Sequence, residues 1–167
     1  LHAAGCSAIG PVVPHGVDAR LFAPLSETQP GHWNADQGRG GAFVIGTVAN
    51  NSRRKRLDLI VRSFALFCRR HPCSRLLIKT DRPVSLDGVD LPALITREKV
   101  EDRVRLILEE STDRQMAALY NRMDLYLNLS EWEGFCIPVI EAMACAVPVV
   151  SPPIQGPGEI LPYTETL

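Results

Sequence analysis

From Ala42 onward, the apolar positions of the chain alternate between two periods. Short β-rich runs at Ala42–Ala49 (AFVIGTVA), Arg75–Thr80 (RLLIKT), Val104–Leu108 and Leu125–Leu129 (LYLNL) predict strands, and Pro148-Val149-Val150 starts a fifth. Between the first two runs, Leu57, Ile60, Val61, Phe64 and Cys68 recur at helical spacing and define one buried face. Leu91–Lys99 predicts a short helix. Thr112-Asp113-Arg114-Gln115 has the form of a capping box and opens a helix with Met116, Leu119, Tyr120 and Met123 on its apolar side. Pro138 sits where a helix would begin, a position that tolerates its missing N–H, and Val139, Ile140, Met143 and Ala144 continue it. Strand and helix in this alternation predict βαβ units: an α/β fold with a Rossmann-like parallel sheet and helices on both faces. In such sheets ligands bind beyond the carboxyl ends of the strands, so function is sought in the loops that follow each strand.

The segment before Ala42 is different. Residues 1–24 hold one apolar pair, Val12–Val13, followed by a turn at Pro14-His15-Gly16-Val17-Asp18. Residues 25–41 are rich in Gly, Pro and polar side chains and predict a flexible loop or linker, leaving 42–167 as the folded domain.

Composition narrows the class. With 167 residues, 46% of them hydrophobic and 22% charged, the chain can build one sizeable core without disulfides or a structural metal. A formal net charge of −1 argues against a domain that binds nucleic acid by overall attraction. No apolar run reaches the ~18–20 residues of a membrane span, and the first residues lack a signal-peptide pattern. Five cysteines without a CxxC pair, and four histidines without ligand spacing, predict no metal site and reduced thiols, as in a cytoplasmic protein.

Two stretches carry candidate chemistry. Ser130 to Cys145 leaves a strand, turns through Gly134 and enters a helix at Pro138. The N–H groups of Phe135 to Ile137 would then be helix-start donors directed into the crevice. Glu133 in the turn and Glu141 in the helix flank that place, and a carboxylate can accept two hydrogen bonds from a vicinal diol. Spacing alone is weak evidence, because Glu101 and Glu109 repeat it by accident, and either Glu could simply favour a helix N-terminus. The second stretch, Asn50-Asn51-Ser52-Arg53-Arg54-Lys55-Arg56, sets four cations at a helix start, where the macrodipole disfavours them by ~0.3–1 kcal/mol each. An anion at the loop mouth would resolve that conflict. Read by itself, the run is equally a solvated charged surface or an RNA-contacting patch. Gly46, inside the first strand, allows either close backbone approach or packing.

Together these residues resemble a known family. Glu133-Gly134-Phe135-Cys136-Ile137-Pro138-Val139-Ile140-Glu141-Ala142-Met143-Ala144-Cys145 with Pro148-Val149-Val150 resembles the EGFGLPxxEAMACGxPVV signature of retaining GT-B glycosyltransferases, family 4 of group 1. Pro14-His15-Gly16-Val17-Asp18 with Phe22-Ala23-Pro24 is similar to the segment leading into their C-terminal, donor-binding domain. Gly46-Thr47-Val48 through Arg54-Lys55 and Leu57 to Ile60 resembles that domain's first strand and phosphate loop, and Gly158-Glu159-Ile160 its GxxEI element.

The resemblance implies a donor-binding domain that moves a hexose from a nucleoside-diphosphate sugar to an acceptor hydroxyl with retention. It implies catalytic roles for Glu133, Arg54 and Lys55: Glu133 on the hexose, Arg54 and Lys55 on the departing diphosphate. Glu141 would hold the ribose, with Gly134, Phe135, Cys136, Ile137 and Asn50 lining the donor site. No cofactor and no metal are expected, since the sequence has no DxD triplet, and side-chain charge would offset the phosphates. The acceptor, a glycan, lipid or small molecule, would be held by a separate N-terminal domain, so the chain reads as an excised half, inactive alone and truncated at its C-terminus. The expected location is cytoplasmic, or peripheral at the membrane in the longer protein. Three positions depart from the pattern: Asn50 replaces an Arg, Cys136 a Gly, and Lys79-Thr80-Asp81 a Gly. The Asn50 departure keeps open a non-catalytic nucleotide-sugar-binding module of the same fold. A GT-B phosphorylase or epimerase lacks a matching motif here.

Overall fold

The computed structural model describes residues 14–25 and 41–161. Five parallel strands form one sheet: β1 (Phe43–Val48), β2 (Ser74–Lys79), β3 (Val104–Ile107), β4 (Leu125–Leu127) and β5 (Val149–Val150), in the spatial order β3-β2-β1-β4-β5. The helices are α1 (Leu57–Arg70), α2 (Leu91–Glu98), α3 (Asp113–Tyr120), α4 (Ile137–Ala144) and α5 (Gln155–Ile160). The α/β class and the parallel order agree with the periodicity.

Strand alternation explains the two-sided burial. Val44 and Leu77 point to one face of the sheet and pack with Tyr120, Tyr126, Val139 and Ala142 from the α3–α4 side. Ile45, Leu76 and Ile78 point to the other face, against Leu57, Val61 and Phe64 of α1 and Leu91, Leu94 and Ile95 of α2. The chain therefore builds outward from β1 to β3, then returns to lay down β4 and β5 on the other side of β1. The reversal falls between β1 and β4, a topological switch point whose carboxyl end opens a crevice.

Local chemistry sets the ends of the helices. Thr112 and Gln115 form the expected capping box, with the Thr112 N–H donating to Gln115 Oε1 at 2.8 Å. Asp90 caps α2 by accepting from the Ala93 N–H at 2.9 Å, a cap the periodicity does not single out. Met123 lies beyond the end of α3 but is buried beneath Gly46, where any Cβ would collide with its thioether. Gly46 therefore serves packing. Helix α5 has no counterpart in the periodicity, since its run holds Gly156, Pro157 and Gly158. Tertiary contact fixes it: a Cβ at Gly156 would strike the backbone of Gly134 and Phe135.

Residues 14–25 pack on the domain. Phe22 is buried against Tyr120, and the Leu25 N–H donates to Asn121 Oδ1 at 2.8 Å. The linker expected over 25–41 lies, apart from Leu25 and Gly41, outside the described residues. So does Val12–Val13. Among the described residues no helix is long and apolar enough to cross a membrane.

Candidate functional site

The β1–α1 loop and the β4–α4 loop flank the switch point, and both are short of regular structure. Asn50 to Ser52 leads into a 3-10 turn, Arg53–Lys55, and Arg56 takes a left-handed conformation (φ 50°) before α1 begins. The Glu131 N–H donates to the Arg54 carbonyl at 2.8 Å, tying the two loops together.

Their side chains meet at Glu133. Its carboxylate accepts from Arg54 Nη1 at 2.9 Å, from Lys55 Nζ, and from Ser130 Oγ at 2.7 Å. Glu133 is 5% exposed and Lys55 8%, so this is a buried ion pair with Arg54 as its more accessible third member. Burial pushes the carboxyl up, but hydrogen bonds from Lys55, Ser130 and Arg54 outweigh it and leave Glu133 below its ordinary range. Arg54 also lies 4.8 Å over the exposed Trp132 ring.

The anion that the cation run calls for is therefore supplied in part by the protein. Arg54 and Lys55 pair with Glu133, and Arg56 pairs with Glu131 at 2.7 Å and with Asp58 at 3.1 Å. Cations at the start of α1 are tolerated because carboxylates from the neighbouring loop face them.

Glu141 sits on the second turn of α4, half-buried. Burial raises its carboxyl; a hydrogen bond from the Tyr120 hydroxyl at 2.6 Å opposes that rise, and Asp113 adds to it. Among the described residues it has no ion-pair partner. The amides of Phe135, Cys136 and Ile137 find no backbone acceptor among the described residues, as expected of helix-start donors. Gly134 is exposed with open space where a Cβ would stand, so packing does not demand glycine there.

The Cys136 side chain is 7% exposed, inside the core with Tyr126 and Val139 and beside the Glu133 carboxylate, and burial lifts its thiol to about 11. Cys136 caps α4 at φ 68°, a left-handed conformation that a residue with a Cβ adopts at a cost. Of the other described thiols, Cys68 and Cys145 are buried and Cys73 is exposed.

Asn50 is exposed and lines an open groove of about 700 Å³ together with Arg54, Lys55, Lys79, Asp81 and Pro138, at the carboxyl ends of β1 and β2. Arg53 is not among the residues that line this groove. It faces a separate groove between α1 and α2 with Arg56, Arg62 and Arg97. Asn51, which sequence reasoning passes over, is 3% exposed and holds the loop in place. Its amide group donates to the Val89 carbonyl at 2.7 Å and accepts from the Val89 N–H at 2.9 Å, while its own N–H donates to Asp81 at 2.7 Å. Sequence reasoning also passes over Ser130, Tyr120 and Gln155, whose Oε1 accepts from the Glu133 N–H at 3.3 Å. Only Ser130, three positions before Glu133, carries a local signal.

The first segment also reaches the β4–α4 loop, with the His15 ring 5.2 Å from that of Phe135. A family model, glycosyl transferases group 1, matches residues 33–166. The chain belongs to this family. The group 1 domain is 28% identical over 151 residues to a phosphatidylinositol N-acetylglucosaminyltransferase component of Arabidopsis thaliana, covering 90% of this chain and 31% of the relative. It is 31% identical to the gpi3 subunit of the corresponding transferase in Schizosaccharomyces pombe, covering 90% and 30%. The chain thus spans about a third of the length of the curated relatives it matches.

Solved structures agree on the fold. Anabaena HepE, in complex with UDP-glucose, superposes with a TM-score of 0.73 at 25% identity, over 89% of this chain and 40% of that one. The C-terminal domain of a group 1 protein (LpcC) from Francisella tularensis gives 0.72 at 20% identity, over 89% and 76%. The group 1 domain therefore has the Rossmann-like architecture of a GT-B C-terminal half. Among the described residues no group of three or more His, Cys, Asp or Glu gathers as a metal site would require.

Proposed function

We propose that this chain is the donor-binding domain of a retaining, metal-independent glycosyltransferase that moves a hexose from a nucleoside-diphosphate sugar to an acceptor hydroxyl. The observation that carries the reading is the convergence of Arg54 and Lys55 on Glu133 across the switch point, 79 and 78 residues away in the chain. Cations and a carboxylate held there match the needs of a leaving diphosphate and a hexose side by side.

In this reading Arg54, Lys55 and the amides before α4 receive the diphosphate, whose charge grows as the glycosidic bond breaks. Glu133 turns to the hexose, and open Gly134 lets the sugar approach the backbone. Glu141 accepts from the ribose: one of its roughly four acceptor positions is taken by Tyr120, leaving room for two hydroxyls. HepE holds UDP-glucose, and a Xanthomonas relative at 30% identity is named for GDP-mannose, so UDP and GDP are both candidate donor bases. The acceptor would be positioned by a separate N-terminal domain. The chain alone would then bind donor without transferring it, because orienting the acceptor can supply ~7–11 kcal/mol of barrier lowering.

Reversal of charge tests the phosphate assignment. Lys55→Glu should weaken UDP or GDP binding at least tenfold, and Arg53→Glu, in the neighbouring groove, by less than about threefold. Equal losses would point to general surface electrostatics and overturn it.

A further inference from the structure

We propose that Tyr120 is the positioning residue that makes this site select ribose, acting through Glu141. The inference rests on the reading that Glu141 meets the nucleotide ribose. Tyr120 ends α3, fully buried, with its ring 6.1 Å from that of Phe22 and 5.9 Å from that of Tyr126. That packing holds the ring in place. Its hydroxyl donates to Glu141 Oε2 at 2.6 Å, so the fixed ring sets the rotation of a flexible carboxylate on a different helix.

Two features separate this contact from ordinary packing. Glu141 is a half-buried carboxylate with no cation paired to it among the described residues, an arrangement that costs stability and is not needed to join α3 to α4. The Tyr120 hydroxyl, desolvated and next to Tyr126 and Glu141, is held far above its ordinary pKa, so it stays a donor at every working pH. The Tyr120 hydroxyl occupies Oε2, and among the described residues no hydrogen bond is made to Oε1, which is left for a ligand. A carboxylate held that way meets a diol without first being ordered, and the saving appears as affinity.

Calorimetric titrations of UDP, GDP, their 2′-deoxy counterparts and inorganic pyrophosphate test it, on the parent chain and on Tyr120→Phe. The parent should prefer ribo- to deoxyribonucleotide. Tyr120→Phe should lose about five- to tenfold in UDP or GDP affinity, with pyrophosphate unchanged and the ribose preference reduced to near unity. Nucleotide affinity within twofold of the parent, or equal losses for nucleotide and pyrophosphate, would overturn the role of Tyr120 and leave the donor-domain reading standing. A parent that binds none of these probes would overturn that reading and the inference with it. Should Tyr120→Phe not fold, the hydroxyl proton of buried Tyr120 in the parent, hydrogen-bonded to Glu141, gives the same answer by NMR. It should shift on adding UDP or GDP and stay put on adding pyrophosphate, and an unmoved resonance in both cases contradicts the proposal.

Discussion

At the scale of single residues, the Glu133 carboxylate is held by Arg54, Lys55 and Ser130, and its substitution has two effects of opposite sign. Glu133→Gln leaves buried Lys55 short of a counter-charge and should cost on the order of 3 kcal/mol at pH 7, read from urea unfolding. The same change removes the resident competitor for Arg54 and Lys55, so pyrophosphate should bind several-fold tighter than to the parent; unchanged or weaker binding would show that these cations do not face the diphosphate. The pH dependence follows from the direction of the shift. A carboxyl lowered by folding stabilises fully above its unfolded value of ~4.3, and that contribution is lost as pH falls through the lower folded value. Asp81, brought to about 2 by the Asn51 N–H and then Arg82, acts in the same direction between its unfolded value and about 2. Urea midpoints of the parent should therefore fall on acidification below about pH 5, with a shallower fall in Glu133→Gln. Cys136 offers a backbone test. Cys136→Gly relieves the left-handed conformation and should stay within about 1 kcal/mol of the parent, whereas Cys136→Val should cost more than about 2, being branched at a positive φ.

At the scale of elements, the site depends on two loops held by contacts far away in sequence. Asn51→Ala would leave the Val89 N–H and carbonyl without their partner and should cost about 2–3 kcal/mol, with the cationic loop exchanging amide hydrogens faster. Gly156→Ala drives a methyl into the backbone of the loop that carries Glu133. A loss of about 1–3 kcal/mol is expected in chemical denaturation, and a variant as stable as the parent would contradict the docking of α5. Elements of this kind mark where the sequence stops being legible. Strands β1 and β2 and helix α1 follow directly from periodicity, because their alternating or helical faces bury side chains on a predictable side. Helix α5 does not, since Gly156 and Pro157 oppose helix and contacts with Glu133, Gly134 and Phe135 decide. The candidate site divides the same way: Glu133, Arg54 and Lys55 are visible as charges in loops after strands, whereas Asn51 and Tyr120 act through long-range hydrogen bonds that leave no local pattern.

At the scale of the molecule, sheet order does most to place the function. The order β3-β2-β1-β4-β5 sets the loops after β1 and β4 side by side, and Asn50, Arg54 and Lys55 after β1 line one groove with Pro138 at the start of α4. A second groove, about 680 Å³ between α1 and α2, is lined by Arg53, Arg56, Arg62 and Arg97 together with Asp58, Asp90 and Glu131, and is the alternative place for an anion on the same domain. The two can be told apart in a single experiment: amide NMR spectra of the chain during titration with UDP and GDP. The account predicts that shifts cluster at Asn50 to Lys55, Gly134 to Ile137 and Glu141, with Arg62 and Arg97 unmoved. Shifts confined to Arg62, Ala93 and Arg97, or none with either nucleotide, would contradict this.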